Sequence, residues 1–114
     1  MLNLTPHAIS FQAQDGTVVS FQPSGVVARV STSTVEAGIV TIFCQDIPVI
    51  KTVYGAVEGV PALPCEPFLV SGMVLGRLGQ EYSGVAFAPA TGPQDGAIRN
   101  EKGHIVAVTK FVTV

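Results

Sequence analysis

The chain has 114 residues, of which 47% are hydrophobic and only 12% are charged, and its formal net charge is −2. This composition excludes an intrinsically disordered chain and predicts a single domain over residues 1–114. The six Lys and Arg residues are scattered rather than clustered, so nucleic acid is disfavoured as the main partner.

The first half of the chain alternates apolar and polar residues in short runs, which predicts strands. Ala8–Phe11 and Val18–Phe21 flank Asp15-Gly16, a dipeptide typical of hairpin turns, so the chain is expected to begin with a hairpin. The segment from Val26 to Thr34 ends in a Ser/Thr-rich stretch that favours an edge strand.

Two further strands are predicted in the centre of the chain, at Ile39–Phe43 and Val49–Val53, with a turn at Asp46–Pro48 between them. The stretch VPALPCEP, residues 60–67, contains three prolines and is predicted to be a connector without regular hydrogen bonding. It forms a candidate rim of the domain.

One helix is predicted near residues 71–80, where Ser71 is a candidate N-cap and an apolar face follows. Three glycines within it each weaken the helix by about 1 kcal/mol relative to alanine, so packing must hold it. Val85–Ala88 and His104–Val114 are predicted as later strands. The expected fold class is mainly β, a β-sandwich or small barrel with this one short helix.

The loop TGPQDG, Thr91 to Gly96, is a candidate ligand loop because backbone N–H groups in such a turn can bind an anion. Thr91 and Gly92 supply a hydroxyl and a flexible backbone, and Arg99 follows with a guanidinium suited to phosphate or carboxylate. The same residues are also ordinary turn residues, so a purely structural turn is the alternative.

The opening NLTPH places Asn3, Thr5 and His7 on alternate positions at the start of a strand, where Pro6 favours extended backbone. Such a polar row can offer hydrogen bonds to a ribose or a base, or it can serve the fold alone. We therefore take Asn3, Thr5, His7, Thr91, Gly92 and Arg99 as the candidate ligand-binding residues.

No signature of catalysis or metal binding stands out in the sequence. Neither His7 nor His104 belongs to a recognisable nucleophile–base pair, and no His, Cys or acidic residues have metal-ligand spacing. We therefore assign no catalytic residue, no metal and no cofactor, and an enzyme is disfavoured without being excluded. Cys44 and Cys65 lack CxxC spacing and fit a reducing compartment.

No apolar run reaches the roughly 20 residues that a membrane-spanning helix needs, and no signal-peptide pattern opens the chain. We therefore expect no membrane partner and a location in the cytoplasm of a host cell. Sparse charge on so small a body leaves apolar surface to be covered, which favours a homo-oligomer.

Five segments of the chain stand out in order: NLTPHAI, PSGVVARV, YGAVEGVP, FLVSGMV, and APATGP with the following AIRNEKGHIVAVTKF. They resemble, in the same order, a family of small proteins of bacteriophages and their bacterial hosts. That family opens with Asn-Leu-Thr-Pro-His and carries a C-terminal Thr-Gly-Pro…Arg…Gly-x-Ile segment. Where it has an aspartate before Thr-Gly-Pro, this chain has Ala90.

The resemblance implies a phage context, in which small oligomeric proteins act as counter-defence factors. The leading hypothesis is a non-enzymatic protein that sequesters a small phosphorylated or nucleotide signalling ligand, with NLTPH, TGPQDG and Arg99 meeting at the site. The alternatives are a protein inhibitor of a host defence enzyme, which would make a host protein the partner, and a nucleotide hydrolase with His7 as base.

Overall fold

Strands make up nearly all of the regular structure in the computed structural model, which describes all 114 residues. The prediction of a mainly β fold is therefore confirmed. In chain order the elements are β1 (Leu2–Asn3), β2 (Ile9–Gln12), β3 (Val18–Phe21), β4 (Arg29–Ile42), β5 (Gln45–Glu58), β6 (Phe68–Leu69), α1 (Gly72–Leu75), β7 (Ala86–Pro89), β8 (Ile98–Arg99), β9 (Ile105–Ala107) and β10 (Phe111–Val112).

A four-stranded sheet with the order β1-β6-β7-β10 holds the hydrophobic core. Strand β6 lies in its centre, parallel to β1 on one side and to β7 on the other, and β10 closes the sheet antiparallel to β7. Phe68, Leu69 and Val70 are completely buried, as expected for a central strand covered on both faces. The core therefore forms around residues from both ends of the chain.

A second layer consists of the β2–β3 and β8–β9 hairpins. Backbone hydrogen bonds join the two hairpins, because Gln12 N–H donates to the Val108 carbonyl and Val108 N–H donates to the Ser10 carbonyl, both at 2.9 Å. The ring centre of Phe111 lies 5.7 Å from that of Phe11 and 6.2 Å from those of Phe21 and Phe87. This aromatic cluster connects the second layer to the main sheet.

The N-terminal hairpin agrees with its prediction in strands and turn. Ile9 pairs with Phe21 and Gln12 with Val18, and Gly16 between the strands has a φ of +89°. The Asp15 carboxylate accepts a hydrogen bond of 2.9 Å from the Thr17 backbone N–H. This bond, with a further one from the Thr17 side chain, lowers the pKa of Asp15 below its ordinary value of 3.8.

The predicted helix is shorter than the sequence pattern indicates. Ser71 caps α1, because its hydroxyl oxygen accepts a hydrogen bond from the Val74 backbone N–H at 3.3 Å. The helix ends at Leu75, directly before Gly76, and a 3₁₀ turn follows at Gln80–Tyr82. Because the glycines disfavour helical backbone, packing of the apolar face stabilises only a single turn of helix. No helix here has the length and apolar character needed to cross a membrane.

Strands β4 and β5 form a long two-stranded hairpin, called the arm below (residues 29–58). Each strand has 14 residues, and they pair from Arg29 with Glu58 at the base to Ile42 with Gln45 at the tip. The arm makes the molecule extended, with a longest dimension of 58 Å and a radius of gyration of 17.9 Å. A compact domain of this length would have a radius of gyration of roughly 13 Å.

The turn predicted at Asp46–Pro48 is wrong, because these residues lie inside β5 and the arm turns at Phe43 and Cys44. Phe43 has a φ of +50° and Cys44 a φ of +60°, as a two-residue turn that matches the twist of a hairpin requires. Asn and Gly normally occupy such positions, since other side chains are strained there. The sequence at the tip therefore lacks the usual turn signal.

Replacing Phe43 with asparagine and Cys44 with glycine is expected to stabilise the arm. The pair Asn-Gly adopts positive φ with less strain, so the opening free energy of the arm should rise by about 1 kcal/mol. Amide hydrogen exchange in β4 and β5 measures this as slower exchange. The double substitution Val18→Asn with Val19→Gly, placed in a strand, is the control and should speed exchange in its own hairpin.

The single closing strand predicted for His104–Val114 is also wrong in extent. The chain divides after Ala107, so that β9 pairs with β8 and β10 pairs with β7. Between them the Thr109 hydroxyl donates to the Asp95 carbonyl at 3.2 Å, which holds this bend against the loop after β7. The last eleven residues therefore contribute one strand to the second layer and one strand to the main sheet.

Candidate functional site

The side chains of Asn3 and Thr5 are buried within the domain and bonded to it. Asn3, with 1% of its surface exposed, donates from Nδ2 to the carbonyls of His7 at 2.8 Å and Phe21 at 2.9 Å. Its Oδ1 accepts from the Thr5 backbone N–H at 3.0 Å and from the Thr5 hydroxyl at 2.6 Å. Both side chains therefore brace the N-terminal segment against the end of β3.

His7 contributes its backbone carbonyl to this network, while the residue itself is exposed. The Thr5 hydroxyl also lies 2.9 Å from that carbonyl. The alternation of Asn3, Thr5 and His7 thus brings the three residues together, but around main-chain groups of the protein. The group consists of the Asn3 and Thr5 side chains and the His7 carbonyl, and it serves the fold in this structure, without the His7 side chain.

The TGPQDG loop is closed by one of its own side chains. The Asp95 carboxylate accepts a hydrogen bond of 2.8 Å from the Gly92 backbone N–H, and Asp95 N–H donates back to the Gly92 carbonyl at 3.1 Å. A carboxylate thus occupies the place that a bound anion would take at Gly92. A side chain at Gly92 would collide with it, because a Cβ there would lie 2.7 Å from Asp95 Oδ2.

The two candidate segments approach each other at one small cavity of about 120 Å³. Thr91 and Pro89 lie on one side of it, and Ala8 to Ser10, directly after His7, lie on another. The remaining wall is mostly aliphatic and comes from residues 105–108. Ligand sites usually enclose about 300–1,000 Å³, so this cavity is too small for a nucleotide.

Arg99 belongs to a different surface, the turn between β8 and β9. Its Nη1 donates to the Gly103 carbonyl at 2.9 Å, and it lines an open concavity of about 610 Å³ with Asn100, Glu101, Lys102 and His104. Sequence reasoning missed Lys102 and His104. The available signal was their spacing, since Arg99, Lys102 and His104 lie within six residues.

Asn100 gives this turn its shape. Its side-chain Oδ1 accepts from the backbone N–H groups of Lys102 at 2.9 Å and His104 at 3.0 Å. Its backbone carbonyl accepts from Gly103 N–H at 2.9 Å, and Gly103 has a φ of +81°. The Asn100 N–H also donates to the His104 carbonyl at 2.9 Å. Together with the Arg99 bond, five hydrogen bonds therefore fix the turn, while the basic side chains remain exposed. We call Arg99, Lys102 and His104 the basic turn.

No group of three or more His, Cys, Asp or Glu side chains is arranged to hold a metal ion. The two cysteines are free, with Cys44 exposed at the arm tip and Cys65 packed against the core. No known protein family, curated protein or solved structure matches the chain. The chemistry of the exposed surface is therefore the basis for the functional proposal.

Proposed function

We propose that the protein is a non-enzymatic binding protein that holds a small phosphorylated or nucleotide ligand at the basic turn. The observation that carries this proposal is the concentration of charge there. Two of the six Lys and Arg residues of the chain, Arg99 and Lys102, lie in the basic turn beside His104, whereas the formal net charge of the chain with neutral His is −2. This local excess of positive charge favours an anion.

The hydrogen-bonding groups of the turn support phosphate as the recognised group. The Arg99 guanidinium has five N–H donors, and the Gly103 carbonyl takes one, which leaves a fork for two phosphate oxygens. Lys102 adds a mobile ammonium, and the rigid backbone of the turn reduces the entropy lost on binding. Glu101, on the same concavity, disfavours ligands with negative charge on that side.

The concavity is open, which favours reversible holding of a ligand over its chemical conversion. The resemblance to phage proteins supports the same role, since a phage gains by removing a nucleotide signal from a host defence system. In this proposal the ligand contacts the basic turn, with Arg99 as its main binding residue, and does not contact the buried side chains of Asn3 and Thr5.

Replacing Arg99 and Lys102 together with alanine is expected to weaken retention of the ligand at least tenfold, because two charge-assisted contacts are lost. The purified protein is incubated with a panel of linear, cyclic and ADP-ribose-derived nucleotides, and the unbound fraction is chromatographed before and after heating. A nucleotide that disappears and returns intact supports the proposal. Retention by the double variant at wild-type strength contradicts it.

The matched control is Arg29→Ala, which removes an exposed arginine at the base of the arm and should leave retention unchanged. A new chromatographic peak would indicate the nucleotide hydrolase instead. An untouched panel would favour the protein inhibitor, with a host protein as partner. Each of the three results therefore selects a different function.

A further inference from the structure

The arm exposes an unusual share of the apolar surface of the chain. Twenty large hydrophobic residues are exposed, and ten of them lie within the twenty residues from Val35 to Tyr54. At the tip, Phe43 is 94% exposed. An isolated two-stranded hairpin is marginally stable in water, and contiguous apolar surface of this kind marks an interaction site. The arm therefore requires a binding partner, called the cover below, that buries this apolar surface.

Strand register divides this surface into two unlike faces. Val40 pairs with Ile47, Gly38 with Val49, and Val35 with Lys51 on one side of the ribbon. We call this side the aliphatic face. Lys51 is the single charged residue in the apolar part of this face, from Val35 to the tip, whereas Arg29 and Glu58 pair on the same side at the base of the arm. The long alkyl stem of Lys51 allows its ammonium to reach the rim. Its aliphatic members, all 38–47% exposed, are Val35, Val40, Ile42, Ile47, Val49 and Val53.

The opposite face carries more polar residues, together with the exposed Ile39 and Ile50, and is partly covered by the domain near its base. Glu36 and Asp46 lie there, and the Thr41 hydroxyl donates to the Asp46 carboxylate at 3.0 Å. Near the base, the Arg77 guanidinium lies over the Tyr54 ring, 3.8 Å from its centre. The aliphatic face therefore points away from the side on which the protein contacts its own arm.

Both edges of the arm carry features that oppose the addition of another strand. Pro48 interrupts β5 with a residue that has no N–H. Strand β4 has a bulge between Glu36 and Gly38, where Gly38 has a φ of +116°. Proline and bulges are the usual protection of exposed sheet edges. A cover therefore has to approach the face of the ribbon and not its edge.

We propose that the aliphatic face packs against the same face of a second copy of the chain. Two arms stacked along their full 14 residues, roughly 48 Å long and 10 Å wide, bury about 1,000 Å² in total, which is the lower limit for a specific interface. The apolar part from Val35 to the tip supplies more than half of this area. An aliphatic surface without directional groups is complementary to itself, which is what a twofold interface demands. This inference is independent of the ligand.

The small core of the single chain also supports a second copy as the partner of the aliphatic face. Only 14 of the 114 residues are buried, and none of them lies in the arm. A cover that contributes to folding has to be present whenever the chain is made. A second copy meets that condition, as in obligate homodimers whose stability depends on protomer concentration.

The test compares neighbouring substitutions on opposite faces of β4. Sedimentation velocity of the wild-type protein should give twice the mass of the chain, and Val40→Glu should raise the dimer dissociation constant at least a hundredfold. The matched control Ile39→Glu places the same charge one residue earlier, on the opposite face, and should leave the dimer intact. A milder variant, Val40→Thr, preserves shape and strand propensity and should weaken the dimer about tenfold.

A wild-type protein that sediments as a monomer at tens of micromolar overturns the proposal, whether or not it captures a different protein. Equal weakening by Ile39→Glu and Val40→Glu also overturns it, because the effect would then lie in the hairpin itself. Circular dichroism of the variants separates loss of the dimer from loss of the fold. Neither substitution touches the basic turn, so the result does not depend on nucleotide binding.

Discussion

Replacing Asn3 with leucine should lower the free energy of unfolding by about 3 kcal/mol, although the two side chains are similar in size. The substitution leaves the Phe21 carbonyl and the Thr5 N–H without the partners that Asn3 provides in a buried environment. Urea denaturation measures the loss, and the melting temperature should fall by roughly 10 °C.

Two further variants test whether the loss of stability in Asn3→Leu comes from its buried hydrogen bonds. Thr5→Val removes one hydroxyl and keeps the shape, so we expect a smaller loss of about 1 kcal/mol. Ser10→Ala removes an exposed hydroxyl that contacts Ser20 at 2.9 Å and should change stability by less than about 0.5 kcal/mol. If Asn3→Leu left stability unchanged but abolished nucleotide retention, Asn3 would be a ligand residue and not a structural one.

Replacing Phe68 with alanine is expected to destabilise the protein by about 4 kcal/mol, the largest effect of any single substitution considered. Phe68 is fully buried in the central strand β6, and its ring packs against Tyr82 edge to face at 6.0 Å between centres. The rest of the core is made of smaller residues and cannot close a cavity of this size. Chemical denaturation should show a lower midpoint.

The same substitution at Phe43 provides the control. Phe43 projects from the tip of the arm, so Phe43→Ala removes almost no buried surface and should cost less than about 0.5 kcal/mol. A large loss at Phe43 would mean that the tip is covered in solution. Comparable effects at Phe43 and Phe68 would contradict the core described above.

The parts of the fold that depend on local turn and capping residues were predicted correctly from the sequence. Asp15-Gly16 places the first hairpin correctly, and Ser71 marks the start of α1. The predicted turn of the arm lies too late in the chain, at Asp46–Pro48, because Pro48 favours a turn, whereas a proline can also occupy a strand at an edge. The actual turn is formed by Phe43 and Cys44, which are not the Asn and Gly that this turn type prefers, so no sequence signal marks it.

The candidate site was predictable only in part, for a similar reason. The spacing of Asn3, Thr5 and His7 predicts a row of three polar side chains, whereas the structure groups two of these side chains with the His7 backbone carbonyl. Spacing does not show whether a polar row faces a pocket or the backbone. The closing of the TGPQDG loop by Asp95 depends on a side-chain rotation that no pattern contains. The sequence indicates Arg99 as an anion-binding residue because of its guanidinium. The proximity of Lys102 and His104 to it depends on the tight turn at Gly103.

The parallel pairing of β1 with β6 has a consequence for synthesis of the chain. Leu2 lies opposite Phe68, and Phe68 in turn lies opposite Ala86, so the N-terminal strand has no sheet partner until more than half of the chain has been made. The arm, by contrast, joins residues close in sequence and can form first. On the ribosome the exposed hairpin should therefore appear before the core, which makes early encounter between nascent chains an expected feature of this protein.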